Sequence, residues 1–126
     1  MANPILIVCP LKMEAAALRK ALPRDVLVVT IGLRAKHVPR LPPCRGIILA
    51  GLAGGLDPAL RVGDVVMDSA GTPLFEGNQV RMGKIACAAA AVCTAAEKAR
   101  LARATGAIAV EMESEPLRVH RPAGMP

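Results

Sequence analysis

The chain has 126 residues, which allows one modest core, and its 53% hydrophobic and 21% charged content excludes a disordered polymer. Phe75 is the only aromatic residue, with no Trp or Tyr, so the net charge of +6 lacks the stacking rings of a nucleic-acid reader. The arginines are scattered along the sequence, so a basic soluble surface is expected and nucleic acid is not; anionic small ligands such as phosphate or a phosphorylated sugar stay open.

In chain order, Ile5–Cys9 is a continuous apolar run, as in a strand buried on both faces. Pro10 stops it. A helix is predicted from Lys12 to Leu22, with Met13, Ala17 and Leu18 on one face, and Pro23 ends it. Val26–Thr30 reads as a second buried strand. The crossover helix expected next is interrupted by Pro39, Pro42 and Pro43, leaving one or two turns around Arg34 to Val38. Gly46–Ala50 is a third strand. It runs into Gly51-Leu52-Ala53-Gly54-Gly55, whose glycines suit a sharp turn and close ligand approach.

Val62–Asp68 reads as a strand with a bend at Gly63-Asp64. Residues 72–84 read as a hairpin, with Glu76-Gly77-Asn78-Gln79 as its turn. Residues 85–92 fit strand or helix. Thr94 and Glu97 form a capping-box pair that opens a helix to about Thr105, closed by Gly106. Ala107–Met112 is a strand ending in the acids Glu111 and Glu113, which would share one strand face while Met112 points to the other. Pro116–Pro126 reads as an irregular tail. The alternation predicts an α/β fold with a mixed, mostly parallel twisted sheet flanked by helices, in one domain over 1–115.

The four cysteines form no CxxC pair, and His37 and His120 have no partner at metal-ligand spacing, so both read as solvated. Cys9 and Cys87 read as small core residues in a reduced, cytoplasmic compartment. No signal-peptide pattern opens the chain, and no apolar run reaches membrane-spanning length. The glycine run lacks the spacing of a dinucleotide fingerprint.

Taken in order, Pro10-Leu11-Lys12-Met13-Glu14, Gly51 to Val66, and Ala109-Val110-Glu111-Met112-Glu113 resemble the nucleoside phosphorylase and nucleosidase superfamily. Thr94 to Gly106 is similar to its hopanoid-associated phosphorylase group. The resemblance implies a truncated phosphorylase-like fold. It also implies a protein that binds, and as a further step cleaves, the N-ribosidic bond of a purine nucleoside or adenosyl conjugate.

By that resemblance Glu14 is the base that activates water, and Glu113 holds the ribose hydroxyls. Gly51, Ala53, Gly54, Gly55, Glu111 and Met112 line the substrate pocket. Arg34 is a candidate contact to an anion. No metal or organic cofactor is implied, and phosphate would be a co-substrate if phosphorolysis occurs. The implied partners are a small-molecule nucleoside and further copies of the chain, with neither nucleic acid nor membrane.

The chemistry is consistent with these residue types. N-ribosidic cleavage builds positive charge on the sugar, which carboxylates stabilise, while backbone N–H groups suit phosphate. The alternatives are a solvated Glu14 at the helix start, a ligand-free glycine turn, Met112 as core filler and the Glu111/Glu113 pair at the surface. Asp57 and Asp64 read as turn residues. The family's later Ser-Asp strand and closing helix are not recognisable after Ser114. The competing expectation is therefore an inactive, truncated domain that serves as a binding or assembly module or is a gene remnant.

Overall fold

The computed structural model describes residues 3–68, 80–122 and 125. In chain order the elements are β1 (Ile5–Cys9), α1 (Lys12–Ala21), β2 (Leu27–Thr30), β3 (Gly46–Leu49), β4 (Gly54–Gly55), β5 (Val65–Met67), β6 (Val80–Met82), β7 (Ile85–Cys87), α2 (Ala95–Thr105), β8 (Ala109–Glu111) and α3 (Ser114–Leu117). Short 3₁₀ turns lie at Leu33–Ala35 and Arg118–His120. The chain divides into two compact units. The first comprises Met1–Leu52 with Met112–Pro126, and the second Ala53–Glu111.

The first unit holds a three-stranded sheet in the order β2-β1-β3, with both pairs parallel. Central β1 is apolar throughout because both its faces are covered. Its alternate side chains divide between two clusters. Leu6 and Val8 pack with Ile31, Ala35 and Leu117, while Ile7 and Cys9 pack with Ala15 of α1 and with Leu18 and Leu22. Helix α1 stops at the residue preceding Leu22-Pro23, where proline cannot continue it. Between β2 and β3 no long helix forms. Val38, Leu41 and Cys44 of the proline-rich connector pack directly against the first cluster.

The second unit holds a β4-β8-β7 sheet and a β5-β6 pair. Strand β4 is antiparallel to β8, while β7 runs parallel to β8 and β5 parallel to β6. Its core is Leu56, Ala86, Ala107 and Val110, packed against Leu101 and Ala102 of α2. Helix α2 has the expected ends. Thr94 Oγ1 accepts from Glu97 N at 3.1 Å, and Glu97 Oε2 accepts from Thr94 N at 3.3 Å. Gly106, at φ 71°, takes the left-handed closing position.

Helices and strands are mixed, as expected, but among the described residues three small sheets replace the single mixed sheet. Most strands are only two to four residues long, too short to extend one continuous ladder. Val80–Met82 is a strand, but it pairs in parallel with β5; the turn read at residues 76–79 lies outside the described residues. The stretch left open at 85–92 begins as strand β7.

The largest correction is the tail. Residues 114–120 are helical rather than irregular. Pro116 is tolerated because it occupies the first turn of α3, where backbone N–H groups have no intrahelical acceptor. Burial of Leu117 at 9% exposure supplies the driving force that a periodicity search could not see.

Candidate functional site at the carboxyl edge of the parallel sheet

In a parallel sheet every strand delivers its following loop to the same edge, where open α/β sheets hold ligands. At this edge of the first unit stand the residues after β1, β2 and β3. Glu14, near the start of α1, is only 8% exposed. Its Oε1 accepts from Leu11 N at 2.8 Å, closing the first turn of the helix. Its Oε2 accepts from Leu52 N at 2.5 Å, beyond β3. The carboxylate thus clamps the ends of β1 and β3 together. The alternative of a solvated Glu14 is corrected: the side chain is buried, and backbone donors compensate the burial.

Gly51 owes its identity to this clamp. A Cβ there would collide with Glu14 Oε2 and lie 3.0 Å from Glu14 Cδ and 3.2 Å from Pro10 Cδ. Gly51, Gly54 and Gly55 do not adopt positive φ; close approach, rather than a left-handed conformation, explains Gly51. Ala53, Gly54 and Gly55 belong to the second unit. There Gly54 pairs with Val110 of β8, and a Cβ on it would stand 3.1 Å from Val110 Cγ1.

Glu113 is 6% exposed. Its Oε2 accepts from the backbone N of Arg34 at 2.9 Å, and Arg34 Nη1 donates to Met112 O at 3.0 Å. Arg34 and Ala35 have φ of 59° and 55°, which costs non-glycine residues on the order of 1–3 kcal/mol each. The Glu113 carboxylate and the Met112 carbonyl hold Arg34 in that conformation. Arg34, read from sequence as a candidate for an external anion, gives its backbone N–H to Glu113 and a guanidinium N–H to the Met112 carbonyl.

The shared strand face of Glu111 and Glu113 is also corrected. Strand β8 ends at Glu111, and Glu113 turns to ψ −23° as the cap of α3. Glu111 stays in the second unit, where its carbonyl accepts from Ala88 N at 2.8 Å. Met112 is half-buried at the start of the first unit's return segment.

The turn readings of Asp57 and Asp64 fit the local geometry. Asp57 Oδ1 accepts from Ala59 N at 2.9 Å, and Asp64 Oδ2 accepts from Arg61 N at 2.8 Å. Hydrogen bonds from Ala59 N and Arg81 hold the Asp57 carboxyl below the usual carboxylate range. Cys9 is buried, and burial, followed by the nearby charge of Glu14, pushes its thiol up against an opposing effect of Arg19. Among the described residues no three His, Cys, Asp or Glu side chains gather as a metal site. No helix among them is long and apolar enough to cross a membrane.

One grouping escaped the linear reading. Arg40 and Arg45 lie in the connector, and Arg118, His120 and Arg121 follow α3. Folding gathers these side chains around two cavities of about 660 and 350 Å³, neither lined by Glu14 or Glu113. The arginines described as scattered are, in this part of the molecule, clustered. No sequence spacing signals it, since the two segments are about seventy residues apart and meet only through the fold.

No protein-family model matches the chain, and no curated protein or solved structure matches it.

Proposed function

We propose that the carboxyl edge of the β2-β1-β3 sheet binds the ribose of a purine nucleoside or adenosyl conjugate, in a shortened phosphorylase- or nucleosidase-like fold. The observation that carries this reading is the presence of two buried carboxylates, Glu14 and Glu113, at one edge of one parallel sheet. Burying two carboxylates is costly unless each is hydrogen-bonded, and sheet edges of this kind are ligand sites. Met13 precedes Glu14, Leu52 donates its N–H to Glu14, and Leu33 precedes Arg34, which donates to Glu113; these three side chains are 66%, 75% and 56% exposed, apolar surface for a sugar or base to cover.

The chemistry follows from lone pairs. An ionised carboxylate offers about four acceptor sites. Backbone donors take one on each Glu14 oxygen, leaving capacity for a water. Glu14 would orient and deprotonate that water; Glu113 would accept from ribose hydroxyls and oppose the positive charge that grows on the sugar. Met112 would pack against the sugar. Phosphate would replace water if the reaction is a phosphorolysis, and no metal or organic cofactor is invoked.

The test is release of free base from adenosine, inosine or methylthioadenosine, with and without phosphate. Release abolished in Glu14→Gln and Glu113→Gln supports the reading. Absence of both release and ligand-induced stabilisation rejects it.

A second reading rests on one specific observation: both Glu14 oxygens and one Glu113 oxygen already serve the chain's own backbone. The acids then act as clamps, and the chain is an inactive binding or assembly module. Ligand-induced thermal stabilisation without base release, or self-association in light scattering without either, supports that reading.

A further inference from the structure

We propose that the opposite, amino edge of the same sheet carries an anion site for a small molecule bearing one or two phosphoryl groups. Asn3 precedes β1 and Arg45 precedes β3, and Arg45 N donates to Pro4 O at 3.0 Å, which fixes both at that edge. The cavity of about 660 Å³ is lined there by Asn3, Arg40, Arg45 and His120. The neighbouring cavity of about 350 Å³ adds Arg118 and Arg121, and Arg45 faces both. Among the described residues no Asp or Glu lines either cavity.

None of these four arginines has an ion pair or a side-chain hydrogen bond with a partner among the described residues. The four arginines are exposed around adjoining hollows, where solvent screens their mutual repulsion while a bound anion would meet several positive charges at once. Guanidinium forks match phosphoryl oxygens two at a time. Several positive charges favour a di- or trianion over a single carboxylate. Pro39, Leu41 and Pro43 provide an apolar wall for the remainder of the ligand. The larger volume lies within the roughly 300–1,000 Å³ of small-molecule sites. The chain's one aromatic residue, Phe75, leaves no series of stacking platforms for a nucleic-acid strand, which favours a small ligand.

This inference is independent of the carboxyl-edge reading, since none of its residues is Glu14 or Glu113. The experiment is calorimetric titration of the full chain with pyrophosphate, ADP and ribose 5-phosphate at constant ionic strength. Expected is saturable binding that the Arg40→Ala/Arg45→Ala double variant weakens about tenfold or more, equivalent to about 1.4 kcal/mol. Arg24→Ala, on the α1–β2 loop, should bind as wild type.

Equal affinity for pyrophosphate and ADP supports a site that reads phosphoryl groups alone; tighter ADP supports a nucleoside phosphate, and tighter ribose 5-phosphate a sugar phosphate. The proposal is overturned if none of the three probes binds, or if sulfate at the same ionic strength binds equally well. It is also overturned if the double variant binds unchanged while unfolding at the same temperature as wild type. Binding to a single-stranded oligonucleotide that strengthens with length, and that pyrophosphate does not displace, would replace it with a nucleic-acid surface.

Discussion

The backbone N–H of Arg34 donates to the carboxylate of Glu113 at 2.9 Å across 79 residues of sequence. This bond joins the loop after β2 to the cap of α3. It also holds Arg34 at φ 59°, a conformation that disfavours side chains. Replacement therefore separates strain from contact. Arg34→Ala keeps the strain and loses the guanidinium bond to Met112 O. Arg34→Gly loses the same bond but releases the strain. Chemical denaturation should find Arg34→Gly the more stable of the two by about 1 kcal/mol. Equal stabilities would remove the case for strain at this position.

Gly51 and Glu14 are coupled through space that a methyl group would fill. Gly51→Ala should cost about 1–3 kcal/mol, because Glu14 is held by two backbone donors and moving it aside breaks them. In a Glu14→Ala background the same substitution should cost much less. A double-mutant cycle measures the difference. Additive costs would show that Gly51 is not protecting the Glu14 clamp.

Leu117 is the anchor of α3, at 9% exposure against Leu6, Val8, Ile31 and Ala35. Leu117→Ala should cost about 2–5 kcal/mol, the range for a buried leucine. The exposed neighbour Val119 (84% exposed) supplies the comparison, and Val119→Ala should change stability by less than about 0.5 kcal/mol. Similar small effects from both would place residues 114–120 outside the core.

The capping box of α2 predicts acid sensitivity with a definite sign. Backbone N–H groups of Cys93 and Thr94 lower the Glu97 pKa from 4.5. Because the folded value lies below the unfolded one, the contribution is complete above about 4.5 and fades as pH falls through the folded value. Glu97→Gln should therefore destabilise at neutral pH, and its difference from wild type should shrink in acid. Thr94→Ala, which removes the hydroxyl acceptor, should cost about 1 kcal/mol at either pH. Urea titrations at pH values on both sides of 4.5 make the comparison.

The cysteines should differ sharply in reactivity. Cys93 is exposed, whereas Cys9 is buried with its thiol pushed up by burial and by the charge of Glu14. Alkylation followed by peptide mass spectrometry should modify Cys93 first and Cys9 only on unfolding. Early modification of Cys9 would contradict its place between β1 and α1.

Several features were legible in the chain because their causes are local. Five consecutive apolar residues at Ile5–Cys9 required a strand covered on both faces, and β1 divides its side chains between two clusters as that demands. Thr94, Glu97 and Gly106 are short-range capping chemistry, so the ends of α2 could be read directly. Glu113 stood out as an acid at the end of an apolar strand, and Glu14 through the family resemblance of the segment Pro10 to Glu14. Their partners did not, because Leu52 and Arg34 reach them only through the fold.

Local signals failed where long-range burial competes with them. Prolines at 116 and 122 argued for an irregular tail, yet α3 forms because Leu117 gains a place in the core. The glycines of 51–55 argued for a sharp turn open to a ligand, yet Gly51 answers to a carboxylate 37 positions earlier, as its adjacent residue Leu52 does at a separation of 38. The amino-acid order by itself determined the buried strand β1 and the capped helix α2, whereas β2, read as buried, carries no buried residue. The order left open where the arginines would meet, because charge has no periodicity along a chain. Only the tertiary structure brought Arg40 and Arg45 beside Arg118 and Arg121, since hydrophobic burial of β1, β3 and Leu117 dictates which loops share an edge.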